Sequence, residues 1–277
     1  MRALPLALCC CLLLAGCSAL TGPAAPTGTT TPAEPTVTPA PVPETAPTVL
    51  PGVGDDGENE SGRFRAVNHE ALGNTSLRSR TVYQLETTSD GDPIARAITV
   101  RRVENATTMR LDFEQYRPDM AEFAIRDAEL WVGPDRAFRR LELNSGSPDT
   151  ERRPSERAVR QTIRPDVEPI VETLLSTPLR PDDQYTVDGE TWYVLTGERD
   201  TLPEFVEVVY TESNRDVRVT ARVGEAGVIR SFGVEWRGEY DGETVRAQYV
   251  VRFEQFGEAT APKPAWVDRF VDGTPTP

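Results

Sequence analysis

The segment TVRAQYVVRFEQF, residues 244–256, alternates apolar and polar side chains along most of its length. A period of two residues is typical of an extended strand with one buried and one solvated face, as in antiparallel sheets. The segment therefore predicts a half-buried antiparallel strand. The side chains predicted to face inward are Val245, Ala247, Tyr249, Val251 and Phe253.

Two earlier segments, 217–223 and 228–240, have the same character and are joined to this strand by short turns. Asp241-Gly242-Glu243 separates the second segment from the last strand, and Asp-Gly between alternating segments is a strong hairpin signal. The C-terminal third is therefore predicted to form a three-stranded antiparallel meander.

Toward the N-terminus, further alternating segments are interrupted by segments of helical period. In one predicted strand, Ile94, Ile98 and Val100 share one face. The chain from 63 to 277 is therefore predicted to be a single α+β domain of about ten strands in meander order. Other strands are predicted at 77–85, 109–113, 123–125, 130–132, 138–143, 185–187 and 191–195, a charged loop at 145–157, and helices at 63–73, 169–175 and 202–212.

Residues 1–16 have the features of a signal peptide. Arg2 is the only charge before an apolar run that is shorter than the ~20 residues needed to cross a bilayer. The run ends in Leu14-Ala15-Gly16-Cys17, which reads as a lipobox, the motif that directs cleavage before a cysteine and its lipidation. We expect a lipid on Cys17 that anchors the protein at the extracellular face of the cell membrane. The alternative is an ordinary signal peptide with a chance cysteine.

Residues 17–62 are predicted to form a lipid-anchored, disordered stalk. From Thr21 to Pro51, nine prolines and nine threonines occupy most positions, and few apolar side chains are available for a core. Pro-rich chains favour extended polyproline II, so we expect a spacer that holds the domain away from the membrane. Candidate glycosylation sites occur at the sequons of Asn59, Asn74 and Asn105.

The chain is strongly acidic, with 44 acidic and 30 basic residues, and Lys263 is its single lysine. A net charge of −14 repels nucleic acid, so we expect no nucleic-acid partner. This composition resembles proteins of extremely halophilic archaea, where molar salt shortens the Debye length to about 3 Å and screens the repulsion between carboxylates. We therefore expect the domain to need salt for folding. The alternative is an acidic protein with a biased codon composition.

Residues that carry common catalytic chemistry are scarce. His69 is the single histidine, and the sequence has no G-x-S-x-G elbow to supply a nucleophile. Zinc sites need several His or Cys ligands, so we expect neither a metal nor a cofactor. Acidic pairs such as Asp182-Asp183 lie in predicted turns, where solvated carboxylates are the simpler interpretation. The sequence predicts a protein that is not an enzyme.

The order of these features resembles a known class of proteins. A lipobox and a Thr/Pro spacer precede a helix that ends in EALGNTS (70–76), and the chain closes with DGETV (241–245) and VRFEQFGEATAPKPAWV (251–267). This order resembles the uncharacterised lipobox lipoproteins of haloarchaea. The architecture is similar to the LolA/LppX-type lipoprotein carriers. That resemblance implies a curved antiparallel sheet, a half-barrel, closed by two or three covering helices over an apolar cavity.

Two functions stay open at this stage. The first is a structural or interaction module of the cell envelope that holds no small ligand. The alternative is a carrier or binding module for a lipid or another hydrophobic ligand, held between the last strand and the helices at 63–73 and 169–175. The candidate ligand contacts are Phe64, Leu72, Ile170, Leu174, Tyr249, Val251 and Phe253.

Overall fold

The structure is a computed structural model of the 277-residue chain. It describes residues 58–271, except 90, 118–120, 123, 147, 155–166, 188 and 207–210. The predicted signal peptide, Cys17 and most of the predicted stalk therefore lie outside the described residues.

The described residues form an eleven-stranded sheet and three α-helices. The helices are α1 (Glu58–Gly73), α2 (Glu168–Ser176) and α3 (Ala265–Val271). The strands are β1 (Leu77–Thr87), β2 (Pro93–Asn105), β3 (Thr108–Tyr116), β4 (Ile125–Val132), β5 (Arg136–Leu143), β6 (Pro148–Pro154), β7 (Arg180–Val187), β8 (Glu190–Arg199), β9 (Glu212–Gly224), β10 (Ile229–Tyr240) and β11 (Glu243–Glu254).

The sheet is a meander with its first and last strands paired at the centre. Its order is β6-β5-β4-β3-β2-β1-β11-β10-β9-β8-β7, so every neighbour other than β1 and β11 is also consecutive in the chain. All pairings are antiparallel, and the sheet is curved and open. This arrangement confirms the predicted fold class.

The turn between β10 and β11 shows how local sequence sets this order. Asp241 and Gly242 both have a left-handed backbone, with φ of 51° and 80°. Two positive φ values at the centre of a two-residue loop are the geometry of a type I′ turn, which matches the twist of antiparallel strands. The predicted Asp-Gly hairpin is confirmed.

The sheet has two chemically different faces. We call the face that carries α1 and α2 the inner face, and the other the outer face. On β11 the predicted inward row lies on the inner face, where Val245 and Ala247 are fully buried and Val251 is 3% exposed. These strand residues form one core cluster with residues of both helices. Their burial confirms the alternation from which the strand was predicted.

Helix α1 is fixed to the sheet by a buried asparagine. Asn68 is fully buried; its Nδ2 donates to the carbonyl of Gly227 (3.0 Å), and its Oδ1 accepts from the amide of Ile229 (2.8 Å). The side chain therefore satisfies backbone groups at the turn between β9 and β10 that would otherwise be buried without partners. The helix begins at Glu58, five residues before its predicted start, so the predicted stalk–domain boundary after residue 62 falls inside it.

Three local predictions are wrong. The short strands predicted at 123–125 and 130–132 are replaced by the continuous strand β4, which starts at Ile125. The predicted loop 145–157 contains the edge strand β6, because an edge strand needs only one partner and tolerates polar residues. In the predicted helix 202–212, the described residues form a 3₁₀ turn at Glu204–Val206, and Glu212 already begins β9 through its pairing with β10.

The C-terminal helix α3 packs on the outer face of β4 and β5. Trp266 and Val267 form a small buried cluster with Phe138. The indole Nε1 of Trp266 donates to Glu129 Oε2 at 2.8 Å, and that of Trp131 donates to the carbonyl of Ala261 at 3.2 Å. This contact ties the end of the chain to the N-terminal half of the sheet.

Candidate ligand-binding face

The structure brings the predicted ligand contacts together, and it places most of them in packed core. Phe64 and Leu72 of α1 are 0% and 1% exposed, and Ile170 and Leu174 of α2 are 3% and 0% exposed. On β11, Val251 and Phe253 are each 3% exposed, whereas Tyr249 is half-buried. The helices therefore cover the half of the inner face formed by β1 and β8–β11. We call this part the covered half.

The inner face of β2–β5 also carries apolar side chains, but no residue of the three helices belongs to their core cluster. That cluster consists of the buried residues Val103, Met109, Val132 and Ala137. We call the half-buried apolar side chains beside it the open half. Cross-strand pairing sets them side by side on β3, β4 and β5, and they are Leu111, Phe113, Ala128, Leu130 and Leu141.

A group of polar side chains lies on the inner face where the two halves meet. Ser79 of β1 pairs with Arg101 of β2, and Thr81 pairs with Thr99 on one side and with Val251 on the other. Directly paired residues of antiparallel strands project from the same face, so these side chains are neighbours. We call the group the inner polar cluster, and its members are Ser79, Thr81, Thr99, Arg101 and Tyr249.

The inner polar cluster is partly removed from water. Burial lowers the pKa of Arg101, and the phenol of Tyr249 partly offsets that effect. Burial raises the pKa of Tyr249, against smaller opposite contributions from Arg101 and from a hydrogen bond with Thr81. The Nε of Arg101 is buried and has no hydrogen-bond partner among the described residues. The cluster therefore combines a desolvated cation with several hydroxyl groups.

Sequence reasoning did not identify this cluster. In β2, Ile98 and Val100 share a face as predicted, but that face is the outer one. Ile94, predicted to lie on the same face, instead packs against the core cluster of the covered half, beside an irregularity in the pairing of β1 with β2. The odd-numbered row, which includes Thr99 and Arg101, lies on the inner face. The sequence does show a polar row on β2 and another on β1. Only the pairing of β1 with β11 shows that these rows lie on the covered face.

Two grooves with charged linings are also present. The larger, about 1150 Å³, is lined by residues of β8–β11 and the end of α2, among them Arg199, Arg215 and Glu235. The smaller, about 460 Å³, lies over β2–β5 and is lined largely by outer-face side chains such as Asp112 and Arg140. None of the seven predicted ligand contacts lines either groove. These grooves differ in chemistry from the expected apolar cavity.

The single histidine takes part in an ion-pair cluster between α1 and α2. His69 Nε2 lies 2.7 Å from Glu168 Oε2, and Arg65 Nη1 lies 2.5 Å from the other carboxylate oxygen. Arg65 also pairs with Glu172. The hydrogen bond from His69 and the charge of Arg65 hold the pKa of Glu168 below its ordinary value. The geometry of His69 is that of a clamp between the two helices.

The candidate glycosylation sites lie at the N-terminal side of the domain and next to an exposed turn. Asn59 lies in the first turn of α1. Asn74 is exposed just after α1, and its Nδ2 donates to Glu70 Oε2 at 2.6 Å. Asn105 is exposed at the end of β2, next to the turn that leads to β3, and its Oδ1 accepts from the amide of Thr107 at 2.8 Å. Glycosylation of these sites stays a prediction.

Across residues 58–271, as far as they are described, no group of three or more His, Cys, Asp or Glu side chains is arranged to hold a metal ion. Nor does any helix there have both the length and the apolar character needed to cross a bilayer.

Comparisons with known proteins give matches among solved structures. No protein-family model matches the sequence, and no curated protein does. The lipoprotein LppX of Mycobacterium tuberculosis is 12% identical, with a TM-score of 0.36 over 74% of this chain and 95% of that one. LprF of Mycobacterium bovis is 10% identical, with a TM-score of 0.36 over 74% and 96%.

A LolA superfamily protein of Nitrosomonas europaea is 8% identical, with a TM-score of 0.25 over 73% of this chain and 94% of that one. These three structures have LolA/LppX-type carrier folds. These identities and TM-scores are too low to support an argument about this chain. The description of its fold therefore rests on the strand order and register given above.

Proposed function

We propose that the domain is a binding module for a hydrophobic molecule, displayed on a lipid-anchored protein of the cell envelope. The observation that supports this proposal is the open half of the inner face. Its side chains, such as Phe113 and Leu130, are only half-buried and receive no cover from α1, α2 or α3. An apolar surface left beside a finished core is a typical place for a hydrophobic ligand.

The free energy gained by covering the open half is large enough for binding. Burial of apolar surface contributes about 25 cal/mol per Å², so covering ~200 Å² of the open half contributes ~5 kcal/mol before the costs of association. The open half is preformed, because the strands that carry it continue into the covered half through the pairing of β1 with β2. A preformed seat lowers the entropic cost of binding.

A structural or interaction module without a ligand is the second candidate. The tight burial of the predicted contacts on α1, α2 and β11 favours it, because native cores contain few voids larger than a water molecule. On that interpretation the open half is a contact surface for an envelope partner. Binding of a small neutral molecule separates the two candidates.

The test uses the fluorescence of Nile red, a neutral hydrophobic probe, with the full-length protein in molar salt. We expect the wild type to bind the probe, and Ala128→Trp to bind it at least about fivefold more weakly, because the indole fills the seat between Phe113 and Leu141. Ala66→Trp, at an exposed position of α1, is the matched control and should bind as the wild type does.

The result that would overturn the proposal is an Ala128→Trp variant that binds Nile red as tightly as the wild type. Absence of probe binding by the wild type would do the same and would favour the structural module. Mass spectrometry of the protein purified under native conditions from its own membranes gives an independent readout. A hydrophobic molecule that co-purifies with the wild type, but not with Ala128→Trp, would support the proposal.

The anchor is a separate part of the proposal. Because Cys17 follows Leu14-Ala15-Gly16, we expect Cys17→Ser to prevent lipidation and to release the protein from membranes. Detergent phase partitioning measures this directly, and Ser18→Ala beside the same site is the control. Wild-type membrane retention of the Cys17→Ser protein would contradict the predicted lipobox.

A further inference from the structure

We propose that the inner polar cluster binds the acidic headgroup of a lipid whose hydrocarbon chain lies along the open half. This inference rests on the proposed function and specifies its ligand as an anionic amphiphile. The headgroup is a carboxylate or a phosphate, held by the guanidinium of Arg101 and by hydroxyl groups around it. The test below also distinguishes two other cases: an apolar surface that binds without preference for an anion, and a structural module that binds no small ligand.

The headgroup end is set by the pairing of three central strands. Arg101 of β2 lies opposite Ser79 of β1, which is 4% exposed, and one pair further along Thr99 lies opposite Thr81. Tyr249 approaches from β11 and hydrogen-bonds with Thr81. Four hydroxyl groups and one cation therefore meet on a single patch of the inner face.

Among the described residues, Arg101 has no anionic partner of the kind that a partly buried arginine normally has. Its buried Nε makes no hydrogen bond within the described residues. The titratable side chain that acts on it there is not a carboxylate but the phenol of Tyr249, whose raised pKa keeps it uncharged at neutral pH. A guanidinium withdrawn from water without an anion is unfavourable, and a bidentate oxyanion satisfies it in the best geometry. Arg102, on the outer face of the same strand, differs in this respect, since it pairs with Asp112.

The position of the lipid's hydrocarbon chain follows from the contact between the inner polar cluster and the open half. Arg101 pairs directly with Leu111, and Leu111 pairs with Leu130. Thr99 likewise pairs with Phe113, which pairs with Ala128. Two apolar rows therefore begin at the polar cluster and run across β3 and β4, with neighbouring strands about 4.8 Å apart. A molecule that matches this surface has one anionic end and one hydrocarbon end.

The far end of the first row also carries an arginine, and it is assigned no role in headgroup binding. Arg139 of β5 pairs with Leu130 and, on its other side, with Glu151 of β6 in the backbone register. It already has an interaction within the protein. Arg139 therefore provides a control on the same face of the sheet.

The experiment measures displacement of Nile red from the full-length protein by probes whose hydrocarbon chains have the same length. The probes are dodecanoate, which is anionic, and dodecanol, which is neutral; acetate and inorganic phosphate supply an anion without a chain. We expect dodecanoate to bind the wild type at least about tenfold more tightly than dodecanol, the range of a hydrogen bond to a charged group. Acetate and inorganic phosphate should not displace the probe.

The variants then locate the headgroup. Arg101→Met should reduce the affinity for dodecanoate about tenfold or more and leave the affinity for dodecanol unchanged, because the apolar rows stay intact. Arg101→Lys should recover part of the loss, since it keeps the charge without the planar fork. The controls Arg139→Met, on the inner face, and Arg96→Met, on the outer face of β2, should bind dodecanoate as the wild type does.

Thr99→Val is the second test and does not remove a charge. It should weaken dodecanoate but not dodecanol, and circular dichroism should show the same fold for each variant. Equal wild-type affinities for dodecanoate and dodecanol would overturn this inference and leave the proposed function standing. Absence of binding by both would overturn the proposed function as well. An equal loss of dodecanoate binding in Arg101→Met and Arg139→Met would overturn the assignment of the headgroup to Arg101.

Discussion

The two halves of the inner face have the same backbone architecture and different states of burial. In the covered half, Phe232 and Val234 of β10 are fully buried in a cluster that also contains residues of α1 and α2. In the open half, Phe113 and Leu130 are half-buried, and no helix residue belongs to the adjacent cluster. One continuous sheet therefore carries a finished core on one side of β1 and an unfinished apolar surface on the other.

The difference separates stability from recognition within a single sheet. The free energy of folding comes mainly from the covered half, because large side chains lose all their exposed area there. The open half keeps apolar area that a ligand can still bury. A curved sheet that continues past its covering helices needs no separate domain to present such a surface.

The largest expected effect is on stability in the covered half. Phe232→Ala should lower the free energy of unfolding by about 3–5 kcal/mol, because it leaves a cavity among fully buried side chains. Phe113→Ala is the matched substitution in the open half and should cost less than about 1.5 kcal/mol, since a half-buried ring loses less area. Denaturant unfolding in high salt measures both. Equal losses in the two variants would break the distinction between the halves.

A second effect concerns the contact that holds α1 on the covered half. Asn68→Leu should lower the free energy of unfolding by about 2–3 kcal/mol, because the amide of Ile229 and the carbonyl of Gly227 lose their buried partner. Asn74→Leu, at an exposed position after the same helix, should change it by less than about 0.5 kcal/mol. Thermal unfolding followed by circular dichroism distinguishes the two. An Asn68→Leu variant with an unchanged free energy of unfolding would show that α1 is not needed to close the covered half.

The smallest effect is on the pH dependence of the clamp between α1 and α2. The pKa of Glu168 is lowered below 4.5, first by the hydrogen bond from His69 and then by Arg65. Its ionised form therefore stabilises the fold above the ordinary pKa, and this contribution is lost as the pH falls through the lowered one. The groups are half-exposed, so the contribution is at most about 0.5 kcal/mol.

The corresponding measurement compares the wild type with Glu168→Gln between pH 6 and pH 3. The wild type should lose slightly more stability on acidification, while Glu225→Gln, in the exposed turn between β9 and β10, should follow the wild type. A Glu168→Gln protein with the same acid sensitivity as the wild type would show that the clamp does not contribute to covering the sheet.

Much of the architecture was predictable, because local signals in this chain agree with the global fold. The alternation in 244–256 gave the buried row of β11 correctly, and Asp241-Gly242 gave its hairpin. The apolar segment 169–175 is helix α2 within one residue at each end. The candidate contacts from α1, α2 and β11 were also correctly expected to meet, although they meet as packed core.

The errors occur where tertiary pairing overrides local preference. Strand β6 is rich in charged residues and has no apolar row, so its sequence does not predict a strand. It is a strand because it hydrogen-bonds to β5. Around Leu202 and Phe205 the spacing of apolar residues fits a helix, but pairing with β10 already recruits Glu212 into β9. Propensity is a weak prior when a neighbouring strand offers a complete ladder.

The sequence by itself determined the antiparallel meander, the hairpin between β10 and β11 and the inner row of β11, since a period of two and Asp-Gly turns are local properties. Tertiary structure alone decided which row of β2 faces inward. A period of two divides a strand into two rows without saying which one is covered. Pairing with β1 places Thr99 and Arg101, rather than Ile98 and Val100, on the inner face. The polar cluster and the open half follow from that one register.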